Sequence, residues 1–176
     1  IALILETAKP FKELFTKSIK KTDFLKGKTV VNLFYEPSTR TRTSFEIAEK
    51  RLGADVINTA ISTSSVVKGE SIIDTVQPFL SMKFDAVVMR NSSAGSPHFL
   101  AKRIGVSVIN GGDGFHAHPT QALLDMFTIK EKFRTLKGIE VALIGDIAFS
   151  RVARSNIRGL IKMGAKVRVI GPATLI

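Results

Sequence analysis

Short β-branched runs alternate with stretches of helical periodicity along this chain, and that alternation restricts the possible folds more than any other feature. Strands are expected near Thr29–Tyr35, Asp55–Asn58, Asp85–Arg90, Val106–Asn110, Val141–Gly145 and Lys166–Ile170. Helical spacing fits Ile1–Thr16, Thr39–Leu52, Glu70–Met82, Pro97–Ile104, Pro119–Phe133 and Arg151–Met163. The pattern predicts an α/β fold, a parallel sheet flanked by helices. Pro78 should kink its helix or end it early, because proline lacks the N–H and clashes with the preceding turn. Thr135–Gly138 is polar, carries a glycine and precedes a fresh strand, which puts a domain boundary there: residues 1–134, then 135–176 as the start of a second α/β domain. Ile1 opens an amphipathic pattern with no capping residue before it, and Gly171-Pro172 begins a turn. The chain is therefore expected to be a piece of a longer protein.

Lys and Arg number 26 against 15 Asp and Glu, a formal charge of +11, which invites a nucleic-acid reading. The basic residues are spread along the chain, however, and one Tyr with no Trp leaves only Phe to stack on bases. Small anionic substrates suit the charge equally well. There is no cysteine, so disulfides and thiolate metal sites are excluded. No run of ~18 apolar residues occurs, which speaks against a membrane helix. Charge follows within the first ten residues (Glu6, Lys9), unlike a signal peptide, and the cytoplasm is the expected location.

Chemistry is expected outside the carboxyl ends of the strands, where open parallel sheets collect ligands. The strand at Thr29–Tyr35 breaks at Pro37, and Ser38-Thr39-Arg40-Thr41-Arg42 then opens a helix. Free N–H groups, the positive helix end, hydroxyls and guanidinium groups converge there, a site for phosphate or carboxylate. The plainer alternative is a helix capped by Ser38 with solvated arginines. Arg90 ends a buried strand. Gly111-Gly112-Asp113-Gly114 reads as a tight loop, and Pro119 suits a first helical position, so His118 and Gln121 lie at a helix N-terminus. Arg151 follows the strand Val141–Gly145.

Each of these features has a plainer alternative. His116 and His118 could form a metal pair, but no Cys or carboxylate cluster supports it. His98 reads as a loop histidine. Val141–Asp146 before a helix resembles a nucleotide-binding turn without its Gly-x-Gly-x-x-Gly. The loop Thr59–Gly69 carries one charge, Lys68, which is solvated in the plain reading. Arginines, a histidine, hydroxyls and an amide, with no nucleophile, suggest catalysis by positioning and charge stabilisation.

Glu36-Pro37-Ser38-Thr39-Arg40-Thr41-Arg42, Lys68-Gly69-Glu70, Val88-Met89-Arg90, Gly112-Asp113-Gly114 with His118-Pro119-Thr120-Gln121, and Gly145-Asp146 with Ser150-Arg151 occur in a characteristic order. In this the chain resembles the aspartate and ornithine carbamoyltransferases along essentially its whole length. Lys68-Gly69-Glu70 and the Gly-Asp-Gly before His118 resemble the aspartate branch. The resemblance implies a carbamoyl-phosphate domain (1–134) followed by the start of an aspartate domain. It implies transfer of a carbamoyl group from carbamoyl phosphate to L-aspartate, in pyrimidine biosynthesis, with the ornithine reaction as the alternative. Ser38, Thr39, Arg40, Thr41 and Arg90 would hold the phosphate. Arg40, Thr41 and His118 would face the carbonyl oxygen, and Gln121 the amino group. Arg151 would bind an aspartate carboxylate, oriented by Glu36, and Lys68 would act in a neighbouring subunit's site of a homotrimer. No metal or organic cofactor is implied, and regulatory subunits or fused pathway enzymes are open as partners. Ile147-Ala148-Phe149 is less polar than the family pattern.

Overall fold

A computed structural model describes residues 1–14, 16–60 and 71–176. They form two compact units, Lys17–Gly111 and, in the other, Ile1–Thr16 with Gly112–Ile176.

The Lys17–Gly111 unit is built on four strands, β1 (Thr29–Phe34), β2 (Asp55–Ala60), β3 (Ala86–Asn91) and β4 (Ser107–Asp113), in the order β2-β1-β3-β4. β1 runs parallel to both its neighbours. Its central place explains its composition, since both faces are covered and successive residues serve opposite sides. Val31 and Leu33 join Val87, Met89, Val76 and Leu100 in one cluster, while Val30 and Phe34 join Val88 and Ala54 in another. The first face is covered by α3 (Ile72–Ser81) and α4 (Ser96–Ala101), and the second by α2 (Thr39–Leu52), through Phe45.

α2 has the predicted bounds. It stops at Gly53, which takes φ 88°, and a Cβ there would lie 2.6 Å from the Thr22 carbonyl oxygen. A side chain at this position would meet both a strained backbone and a clash. α3 begins at a capping box, with Ser71 and Asp74 each accepting the other's backbone N–H. Pro78 stands inside α3, which ends three residues later at Ser81.

Two expectations need correction in this unit. β4 continues through Gly111 and Gly112 to Asp113, where a loop was predicted. Gly111 serves close packing instead: a Cβ on it would approach the Met89 carbonyl oxygen to 3.4 Å and the Phe45 ring to 3.6 Å. His98, read as a loop residue, is exposed on α4.

In the other unit, α1 (Ala2–Leu14), α5 (Pro119–Phe133) and α6 (Arg151–Lys162) accompany the parallel pair β5 (Glu140–Ile144) and β6 (Lys166–Ile170). Leu5, Ala122, Met126, Leu136, Leu160 and Ala165 make its core. α5 and α6 approach closely at Gly159, where a Cβ would lie 2.7 Å from the Met126 methyl carbon. Lys12 bridges to Glu131 at 2.6 Å and Lys130 to Glu6, tying α1 to α5. Pro10 lies within α1. The predicted boundary after Arg134 falls inside this unit, at the left-handed residue (φ 65°) that ends α5.

Candidate functional site

In the Lys17–Gly111 unit the candidate site grows from the carboxyl ends of β1 and β3. Their register pairs Phe34 with Arg90, and the Tyr35 N–H donates to the Arg90 carbonyl at 2.9 Å. The Arg90 side chain therefore leaves the sheet beside the turn that opens α2. It is 9% exposed and closely held. Nη2 lies 2.6 Å from Glu36 Oε1, and Nη1 donates to Thr41 Oγ1 (3.3 Å) and to the Gly111 carbonyl (3.2 Å). Glu36 was expected to orient Arg151; its ion pair within this unit is with Arg90.

Ser38 occupies the N-cap position of α2, but its side chain makes no capping bond. The helix start thus lacks the commonest device for satisfying its first N–H groups from within. Arg40 is exposed and has no hydrogen bond or ion pair among the described residues, and Thr39 is exposed beside it. Unoccupied donors, a helix N-terminus and a fixed guanidinium make a cationic turn suited to a multiply charged anion.

The far end of α2 is anchored differently. Glu49 is 6% exposed, and its Oε2 accepts from Asn32 Nδ2 at 2.8 Å. The same nitrogen lies 3.0 Å from Asn58 Oδ1 on β2. Burial pushes the Glu49 carboxyl above the ordinary glutamate value; the Asn32 bond opposes the shift and the nearby Glu46 charge adds to it.

In the other unit, the donors sit at the starts of α5 and α6. Asp113, 1% exposed, ties the preceding loop: it accepts from the Ala117 N–H at 3.1 Å and lies 2.9 Å from His116 Nδ1. His116 is thereby a strap of the loop, and no group of three metal-ligating side chains occurs among the described residues. His118 is buried at the N-cap of α5, its backbone N–H donating to Ser155 Oγ at 2.8 Å and its ring Nδ1 lying 3.4 Å from Thr120 Oγ1. Gln121, in the first turn, donates to Asp125 at 2.8 Å. Arg151 opens α6 behind the capping hydroxyl of Ser150, and its Nη1 donates to the Gly114 carbonyl at 3.0 Å. Phe149 packs edge-on to Phe115, with ring centres 6.4 Å apart.

The structure thus gathers Glu36, Ser38, Thr41 and Arg90 in one unit, and places His118, Gln121 and Arg151 at helix starts of the other. Lys68 lies outside the described residues. Ser155, Asp125 and Asn156 support the site and were not singled out from the sequence. Their signal was available: Ser155 and Asn156 are polar residues on the buried side of α6, beside Ala153, Gly159 and Leu160.

The family model for the aspartate/ornithine carbamoyltransferase carbamoyl-P binding domain matches residues 1–131. The aspartate carbamoyltransferase catalytic subunit of Moorella thermoacetica is 64% identical over 176 residues, which are 100% of this chain and 57% of that protein. The one from Endomicrobium trichonymphae is 60% identical over 98% of this chain and 55% of its own length. Among solved structures, the catalytic subunit of M. jannaschii aspartate transcarbamoylase superposes with a TM-score of 0.86 at 40% identity, covering 99% of this chain and 57% of that one. Aspartate transcarbamoylase from Trypanosoma cruzi, in complex with carbamoyl phosphate and aspartate, gives 0.87 at 30% identity, covering 99% and 55%. The chain therefore spans a little over half the length of these relatives.

Proposed function

The chain belongs to the aspartate/ornithine carbamoyltransferase family, and from that premise we propose that the protein transfers the carbamoyl group of carbamoyl phosphate to the amino group of L-aspartate. The products are N-carbamoyl-L-aspartate and phosphate, a step of pyrimidine biosynthesis. The observation that carries this reading is the turn Ser38–Arg42, whose Ser38 and Thr39 hydroxyls and Arg40 are uncommitted among the described residues, beside an Arg90 fixed by Glu36 and Thr41. Residues 1–134 act as the carbamoyl-phosphate domain, and 135–176 begin the aspartate domain.

In this mechanism Ser38, Thr39, Arg40, Thr41 and Arg90 bind the phosphate. The aspartate amine attacks the carbamoyl carbon, and the carbonyl oxygen becomes an oxyanion. Arg40, Thr41 and His118 donate to it, each such donor worth ~3 kcal/mol in the transition state. Gln121 meets the carbamoyl amino group. The carbon–oxygen bond to phosphate breaks, and the departing phosphate takes the proton lost by the amine. Arg151 receives an aspartate carboxylate, with Glu36 orienting it. These donors need no metal or organic cofactor to perform the step. The protein works in the cytoplasm as a homotrimer with shared sites, Lys68 entering its neighbour's, and regulatory subunits or fused pathway enzymes are compatible partners.

The direct test supplies the full-length protein with carbamoyl phosphate and either L-aspartate or L-ornithine. Carbamoylaspartate as the product is expected; citrulline would move the protein to the ornithine branch, and neither would defeat the reading. Subunit sharing is tested by mixing inactive Lys68→Ala and His118→Ala proteins under exchange conditions. Activity should return in part, since some mixed sites receive both wild-type residues.

A further inference from the structure

A primary amide is ambiguous by itself, because its NH2 donates and its oxygen accepts, and either end can face a ligand. At Gln121 the ambiguity is removed from behind. Gln121 Nε2 donates to Oδ1 of Asp125, one turn further along α5, at 2.8 Å. The other carboxylate oxygen, Oδ2, accepts from Asn156 Nδ2 on α6 at 2.6 Å. Asp125 therefore holds two amides at once, and a carboxylate oxygen offers Gln121 only an acceptor. Turning the Gln121 amide over would bring its own oxygen against that of Asp125.

Asn156 shows that this arrangement is maintained at some cost. It is 5% exposed, and its Oδ1 has no hydrogen-bond partner among the described residues. The opposite orientation would point that oxygen at the Asp125 carboxylate, so the amide stays put with its oxygen unsatisfied. Gln121 differs in being partly exposed, and its Oε1 accepts no hydrogen bond among the described residues.

Resting on the carbamoyl-transfer reading above, we propose that Asp125, clamped by Asn156, is a positioning residue for donor specificity: it turns the Gln121 carbonyl oxygen toward the ligand, so that the site selects an N–H-bearing carbamoyl group. A methyl group in the same place has no hydrogen to give, and acetyl phosphate is carbamoyl phosphate with that one change. A plain i, i+4 pair on α5 would also give the Gln121–Asp125 contact, but it would only support the helix and leave donor choice untouched.

The test measures the affinities of full-length wild-type, Asp125→Asn and Asn156→Ala proteins for carbamoyl phosphate and for acetyl phosphate. Wild type should prefer carbamoyl phosphate. In Asp125→Asn the oxygen of the new amide takes the Asn156 NH2 and its own NH2 faces Gln121, which must turn over to accept it, so carbamoyl phosphate should weaken about 10-fold or more, the scale of one lost site hydrogen bond. Acetyl phosphate should change by less than about threefold, the additivity error between unconnected sites. Asn156→Ala frees one oxygen of Asp125 and should shift the ratio the same way by a smaller factor. Equal weakening of both ligands would make Asp125 a purely structural residue and overturn the proposal. An unchanged ratio in both variants would do the same. If Asp125→Asn does not fold, the ratio in Asn156→Ala decides. A wild-type protein with no preference for carbamoyl phosphate would instead defeat the carbamoyl-transfer reading itself.

Discussion

The two units hold their donor groups by opposite means. In Lys17–Gly111 the fixed element is a charge: Arg90 is buried, paired with Glu36 at 2.6 Å and braced by Thr41 and Gly111. In the other unit the donors are a histidine and an amide, and the fixing is directional. Ser155 takes the His118 backbone N–H, Asp113 straps the loop before it, and Asp125 sets the Gln121 amide. On the proposed function the division makes sense. A phosphate is nearly round and needs positive charge at the right distance, whereas a carbamoyl group has an acceptor end and a donor end. Preorganised donors stabilise a transition state because they need not reorganise as charge develops.

The strongest way to break this comparison is within the first unit, between its two key arginines. Arg40→Ala should remove activity by about 100-fold or more, the loss of a donor worth ~3 kcal/mol, and leave stability unchanged because Arg40 is exposed and unpaired among the described residues. Arg90→Ala should remove activity and also destabilise the fold by about 2–3 kcal/mol. That is below the ~3–5 kcal/mol of a fully buried broken pair, since Glu36 retains 23% exposure. Turnover and urea unfolding of both variants give the answer. Equal stability loss in the two variants would mean that Arg90 is not a structural charge.

A smaller loss is expected in the second unit from Ser155→Ala. It removes the acceptor of the buried His118 backbone N–H, which should cost about 1–3 kcal/mol and lower the denaturant midpoint with an unchanged m-value. Carbamoyl transfer should fall as His118 loses its anchor. A stable but inactive variant would show that Ser155 aims the histidine without carrying stability.

Where punctuation is hard, the sequence was easy to read. α2 and α5 have the predicted bounds because Pro37 and Gly53 bracket one and Pro119 opens the other. The turn Ser38–Arg42 was readable for the same reason, as a hydroxyl and arginine run at a strand-to-helix break. Gly111 was misread because a close approach of backbone to Met89 leaves no local trace; a glycine in a strand and one in a loop look alike. Asp125 and Asn156 escaped notice because their meaning depends on which helix faces meet. The spacing of Ser71 and Asp74 fits a capping box, whereas the helical pattern alone extends back to Glu70, which lies outside the described residues.

The remaining predictions are smaller and use pH to sharpen the contrast between the units. In Lys17–Gly111, burial raises the Glu49 carboxyl. A raised acid favours the folded state fully below its unfolded value of about 4.3 and loses that contribution as pH rises through the folded value. Glu49→Gln keeps an oxygen for Asn32 and cannot ionise. Relative to wild type it should gain stability as pH rises, with the difference vanishing in acid. Thermal unfolding across pH would show this as two diverging curves; parallel curves would mean that Glu49 ionises in the folded protein as easily as in the unfolded one.

The other unit should respond in the opposite sense, and least. Hydrogen bonds from Lys130 and then Lys9 hold the Glu6 carboxyl down to about 2. A depressed acid stabilises above its unfolded value of about 4.3 and loses that contribution as pH falls toward the folded one. Lys130→Met should therefore be less stable than wild type at neutral pH, with the difference closing as pH falls through the acid arm. The carboxylate is exposed to solvent, so salt should shrink the effect in wild type, which it would not do for the buried Glu49. Acid titrations at low and high salt separate the two cases. If Lys130→Met matches wild type at neutral pH, or if salt leaves its effect intact, the seam between α1 and α5 is held by packing around Leu5 and not by its ion pairs.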